Sequence, residues 1–261
     1  MRAIIKIKNS SYKRYEELLI QEETFEKEAH HYLVLYIHEF GELIAKIFQL
    51  KIECIRQKKA IALCQAALNR GNFPDLENIN NKLDKRMTKY YEELAEMVKN
   101  NALYKNLIYV PEAKLIKIKT IYRKIVKILH PDINPHTNKS KELKELWERA
   151  NIAYRANDLE EIENVLILTK KAMENANLGI IEVDIPNILD KITEIEEKIA
   201  TIVNNDPYRY KELINDKLAV EEKKLKLKNE LKDFKKYKKE LNDVLNNMLG
   251  KEASKLSWTI N

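Results

Sequence analysis

The stretch Phe25-Glu-Lys-Glu-Ala-His-His-Tyr-Leu-Val-Leu-Tyr-Ile-His-Glu-Phe40, continued by Leu43, Ile47, Leu50, Cys54, Ile61, Cys64 and Leu68, repeats apolar residues at steps of three and four. That period is the signature of an α-helix with one buried stripe, and it extends from about Ser11 to Asn69. A second stripe, Leu33, Ile37, Ile44, Phe48, Ile55 and Ala62, widens the apolar face. A helix apolar over so wide an arc is expected to pack against more than one neighbour. Arg70-Gly-Asn-Phe-Pro-Asp75 ends it, with Gly71 as the C-terminal cap and Asp75 as the N-cap of a second helix reaching about Asn101 or Leu107. The short connection makes the two antiparallel neighbours.

Working outward, the same signals recur. Pro111 opens a helix over 112–129, which His130-Pro-Asp-Ile-Asn-Pro135 breaks; Lys139 to about Ala156 is the next helix, and Asp158 caps another that reaches Asn175. Ile188, Ile192, Ile195, Ile199 and Ile202 form a 4-3-4-3 seam suited to a coiled coil. After Asp206-Pro207 a last helix is expected over 208–249, with Val220, Leu227, Leu231, Phe234, Leu241, Leu245 and Met248 as its stripe, so that these two close as a hairpin. Arg2–Lys8 and Gly179–Ile185 alternate and carry opposite charges, which predicts a small two-stranded ribbon. The fold class is all-α, with long antiparallel helices and coiled-coil hairpins in three consecutive parts: 1–110, 111–157 and 158–261.

Composition agrees. With 4 glycines and 6 prolines among 261 residues and 34% charged side chains, the chain is neither collagen-like nor low in complexity. Cys54 and Cys64 lie in one helical pattern and cannot meet across a turn, which suits a reducing, cytoplasmic setting. The amino terminus carries lysines where a signal peptide would be apolar, and no uncharged stretch is long enough to span a bilayer, so no membrane association is expected.

Charge concentrates. Residues 111–155 hold eleven Lys/Arg against five Asp/Glu, whereas residues 156–206 are acidic, at −8, and residues 207–251 carry +5. Laid out as a helix, Leu115, Ile118, Tyr122, Ile125 and Leu129 share one face while Lys117, Arg123, Lys124 and Lys127 lie on the other; Leu143, Trp147, Ala150 and Tyr154 answer from the next helix. The two prolines stiffen the loop between them.

Tyr122-Arg-Lys-Ile-Val-Lys-Ile-Leu-His-Pro-Asp-Ile-Asn-Pro135, followed by Trp147 and Ala153-Tyr154, resembles helix II, the His-Pro-Asp loop and helix III of the J-domain, the DnaJ-type co-chaperone module. A His-Pro-Asp tripeptide arises by chance in roughly 1% of chains this long, and the flanking matches make coincidence rarer. The resemblance implies docking on a DnaK-type chaperone, with stimulation of its ATPase, through His130, Pro131 and Asp132 and through the basic face of Arg123, Lys124 and Lys127. The family's helix I, with its Tyr-x-x-Leu-Gly pattern, is absent before Pro111, so the end of the second helix around Tyr104–Tyr109 or the later coiled coil is expected to cover its place.

Other constellations carry less. Glu28-Ala-His-His31 has the Glu-x-x-His spacing of helical di-iron sites but no second copy, so His30, His31 and His38 read as core or surface residues, with no metal or cofactor. No phosphate loop, nucleophile elbow or zinc-ligand cluster is present, and no enzyme is expected. The coiled-coil arms would serve a client, a partner or a second copy of the chain. Two further readings stand beside the co-chaperone: a coiled-coil scaffold in which the J-like segment is a rigid corner, and a helical nucleic-acid-associated protein of a mobile element. Nucleic acid is an unlikely partner, through the basic face or through the lysine-rich last helix, because a net charge of +6 with interleaved glutamates is a weak electrostatic footprint.

Overall fold

The computed structural model describes the backbone of residues 2–105, 110–175 and 187–256. It is all-α: α1 (Arg2–Leu68), α2 (Leu76–Lys105), α3 (Glu112–Leu129), the one-turn α4 (His136–Lys139), α5 (Lys141–Ala156), α6 (Leu159–Asn175), α7 (Ile188–Asn204), the short α8 (Tyr210–Asn215), α9 (Lys217–Leu249) and a 3-10 turn over Gly250–Leu256. Among the described residues there is no strand, and no helix is long and apolar enough to cross a membrane. Arg2–Lys8 belongs to α1, so its half of the expected ribbon does not exist; Gly179–Ile185 lies outside the described residues. Helix geometry satisfies the backbone of Arg2–Lys8 within its own segment, and no partner strand is needed.

Helix ends follow the cap chemistry in the sequence. Gly71 takes φ 75°, and the Asn72 amide donates to Ala67 O at 3.1 Å, closing α1 with a left-handed turn that glycine adopts without strain. Asp75 Oδ1 accepts from the Asn78 amide and Asp158 Oδ1 from the Glu161 amide, capping α2 and α6. Ser140 caps α5, two residues after the expected start, because His136–Lys139 forms its own turn. Asn157 sits at φ 56° with the Asp158 amide on Ala153 O at 2.9 Å, so this asparagine ends α5. The expected helix over 208–249 is instead two. Asp216 accepts from the amides of Leu218 and Ala219 and restarts the chain as α9.

The chain forms two compact units, each assembled from separate stretches: Met1–Leu33 with Ile108–Lys211, and Val34–Leu107 with Glu212–Asn261. In the first, Ile118, Tyr122, Ile125 and Leu129 of α3 meet Leu143, Leu146, Ala150 and Tyr154 of α5 and Ile162 and Val165 of α6. The Tyr122 and Tyr154 rings stack at 3.8 Å and 6°. Tyr15, Leu18, Leu19 and Ile20 of α1 complete this core together with Ile195 of α7, and Ile188, Ile192 and Ile199 pack against it.

In the second unit, Ala60 and Cys64 of α1 pack with Ile79 and Leu83 of α2, Leu245 and Leu249 of α9, and Ala253 and Leu256 of the closing turn. Gly41 permits close approach there: a Cβ on it would come within 2.7 Å of Asn101 Oδ1, and Asn101 Nδ2 donates to the Gly41 carbonyl. Arg56, 4% exposed, donates to Asp84, Asn80 and Tyr91. Gln57 bonds Asn242, and Glu53 pairs with Lys238. The isoleucine seam of α7 belongs to the core of the first unit, and the Leu241–Leu249 end of α9 to that of the second. A heptad-like seam specifies that a face is buried; it does not name the surface that buries it.

Candidate docking site at the end of the third helix

The site is built on the carboxyl end of α3. His130 closes the helix, its amide on Val126 O, and its carbonyl accepts from the amides of Ile133 and Asn134 at 2.9 and 2.7 Å. Its Nδ1 accepts from the Asp132 amide at 3.2 Å, so the imidazole stays unprotonated at that nitrogen while the turn is intact. Asn134 locks the other side, donating to Ile128 O and accepting from the His136 amide. Ile133 and Asn134 are buried, Pro131 is half-buried and Asp132 is exposed. The loop is a stiff pedestal that turns one carboxylate to solvent.

His130 is half-buried, with its ring edge-on to Trp147 at a centroid distance of 5.2 Å. Burial lowers its pKa from the ordinary value, with Asp132 opposing and Lys191 assisting the shift.

The largest departure from the sequence reading is the role of α1. The Tyr15 hydroxyl donates to Asp132 Oδ2 at 2.9 Å, and the Tyr12 hydroxyl to Ile133 O at 3.2 Å. Burial and the adjoining Asp132 carboxylate push the Tyr15 pKa up. Farther along the same helix Glu16 pairs with Lys127 at 2.7 Å and Glu28 with Lys119 at 3.0 Å. Lys27 donates to Tyr154 O and lies 3.6 Å over the Tyr154 ring; burial, reinforced by Lys119, lowers its pKa to about 8.

Of the expected basic face, Arg123, Lys124 and Lys127 are all exposed on one helix. Lys127 is held by Glu16, whereas Arg123 and Lys124 make no ion pair among the described residues. Tyr12–Ile20 of α1 and the isoleucines of α7 pack on the core formed by α3, α5 and α6; of the stretch Tyr104–Tyr109, expected to cover the place of helix I, residues 106–109 lie outside the described residues. A signal for α1 did exist: Tyr15-Glu-Glu-Leu18 has the Tyr-x-x-Leu spacing without the glycine, but almost a hundred residues ahead of Pro111.

Cys54 and Cys64 are buried free thiols, and burial raises the pKa of both. Among the described residues no group of three or more His, Cys, Asp and Glu side chains could hold a metal ion. Comparison of the chain with models of protein families, with curated proteins and with solved structures gave no match.

Proposed function

We propose that this chain is a J-domain-like co-chaperone or adaptor that docks on a DnaK-type ATPase through His130, Pro131 and Asp132, with Arg123, Lys124 and Lys127 as the electropositive approach. The observation that carries the reading is the pedestal itself: a side-chain- and backbone-locked turn presents Asp132 to solvent beside Arg123 and Lys124 of α3, which make no ion pair among the described residues. Tyr15 and Leu18 support it by supplying, from a distant part of the chain, the Tyr-x-x-Leu pair that the resemblance otherwise lacks. A preorganised loop loses little conformational freedom on docking, and unpaired cations speed encounter with an acidic surface. The arms formed by α2 and α9 would hold a client or partner.

Steady-state ATP hydrolysis by a DnaK-type chaperone, with and without the full chain, tests this reading. Stimulation that disappears in His130→Gln is the expected result. An unchanged rate with the wild-type chain would defeat the proposal and leave the scaffold reading, in which Tyr15 and Asn134 merely brace a corner.

A further inference from the structure

The last long helix carries a second electropositive surface, in the other compact unit. In α9, Lys228, Lys232, Lys235 and Lys239 follow one another at steps of four, three and four, and all are exposed. At 100° per residue they fall within an arc of about 60°, in a row about 16 Å long. None makes an ion pair among the described residues. The acids that lie between Lys228 and Lys239 in sequence, Glu230 and Asp233, fall well off this arc, whereas Glu221 and Asp243 stand close to the line of the row, one beyond each of its ends. Between Lys228 and Lys239 the turn of the helix separates the two signs.

Lysines three and four apart repel one another along a helix. A row of this kind works against its own helix unless an anion lies along it. The chemistry of the row distinguishes between anions. Protein interfaces are depleted in lysine and anchored by Trp, Tyr or Arg, and the row contains none of these. Single strands are held by stacking on aromatic side chains, also missing from the row. Ammonium groups alone, evenly spaced and without an acceptor, suit the phosphates of a duplex, which presents one charge per about 1.7 Å of axis and is held without base contacts.

We propose that the lysine flank of α9 binds the phosphodiester backbone of double-stranded DNA without sequence preference. This surface is independent of the loop at His130 and of the docking reading given to it. Four neutralised phosphates give a slope of log K against log salt near −3.6, so affinity should fall roughly 100-fold between 50 and 200 mM salt.

The experiment is fluorescence anisotropy of a labelled mixed-sequence 20-base-pair DNA duplex titrated with the full chain over that salt range. The wild type should bind in the micromolar range at the low-salt end. Lys228→Gln with Lys235→Gln should weaken binding at least tenfold at 50 mM and reduce the slope by about 2, while the Lys→Arg versions at the same sites retain both. These side chains support no core, so circular dichroism should be unchanged in every variant. The proposal is overturned if the quadruple Lys→Gln variant binds like the wild type. It is equally overturned if Arg123→Gln with Lys124→Gln abolishes binding instead, or if sedimentation shows self-association through the row with no duplex bound.

Discussion

Tyr15 donates its hydroxyl proton to Asp132 at 2.9 Å, tying the first helix to the loop that follows the third across 117 residues of chain. The contact anchors the most exposed member of the His-Pro-Asp turn to one of the most buried aromatic rings, since Tyr15 is only 2% exposed. A carboxylate held at one oxygen keeps the other for a partner, and its direction is set by a side chain that cannot move.

Tyr15→Phe removes the bond and keeps the ring. Because Asp132 is exposed and regains water, the loss should be about 1 kcal/mol in urea unfolding. A double-mutant cycle with Asp132→Asn checks it: the coupling vanishes if the two side chains do not meet in solution.

Stability should fall on the alkaline side. Tyr15, Tyr122 and Tyr154 all have pKa values raised above the ordinary 10.0, chiefly by burial. A raised value contributes stability that is complete below about pH 10 and is lost as pH rises above it, toward the folded-state value. A thermal midpoint that declines above pH 10 in the wild type, and less steeply in Tyr15→Phe, is the expected record.

His130 acts at the other end of the scale. Its pKa lies below 6.5 because burial disfavours the imidazolium. Its contribution is therefore present above about pH 6.5 and is lost as pH falls toward the folded-state value, with the bond from the Asp132 amide to Nδ1 lost at the same time. His130→Gln should remove this acid-side dependence. Protection of the Asp132 amide against exchange, taken relative to its intrinsic rate at each pH and followed by NMR, should fall below pH 6.5 in the wild type alone.

Charge reversal separates the free cations from the engaged one. Arg123→Glu with Lys124→Glu should weaken chaperone binding and flatten its salt dependence, whereas Lys127→Gln, whose partner is Glu16, should cost a few tenths of a kcal/mol of stability with a smaller effect on binding. Equal effects of the two variants would show that Glu16 does not hold Lys127 in solution.

Ile195→Asp and Leu231→Asp should differ. Ile195 is 5% exposed within the core of the first unit, so an unpartnered carboxylate there should cost several kcal/mol and unfold that core. Leu231 is only half-buried on α9, and its aspartate should cost about 1 kcal/mol. Circular dichroism melts of the two proteins decide the matter, and equal losses would place α7 and α9 in one seam.

The sequence by itself determined where helices run and stop. Apolar steps of three and four require a helix, Gly71 supplies the left-handed turn that ends α1, and the prolines at 131 and 135 forbid α3 from continuing. It also placed Ile118, Tyr122, Ile125 and Leu129 on the buried face of α3 and left Arg123, Lys124 and Lys127 outside, because both follow from period and local chemistry alone. Tertiary structure decided what each apolar stripe meets. Period specifies that Ile195 is covered and not by what, so only packing assigns α7 to the core around Tyr122 and the end of α9 to Ala60 and Leu83. Tertiary structure likewise set the state of the charges. Glu16 and Lys127 are far apart in the chain and adjacent in space. Hydrophobic burial is non-directional and tolerates many partners, whereas a hydrogen bond such as that from Tyr15 to Asp132 forms only after the chain has brought its two ends together.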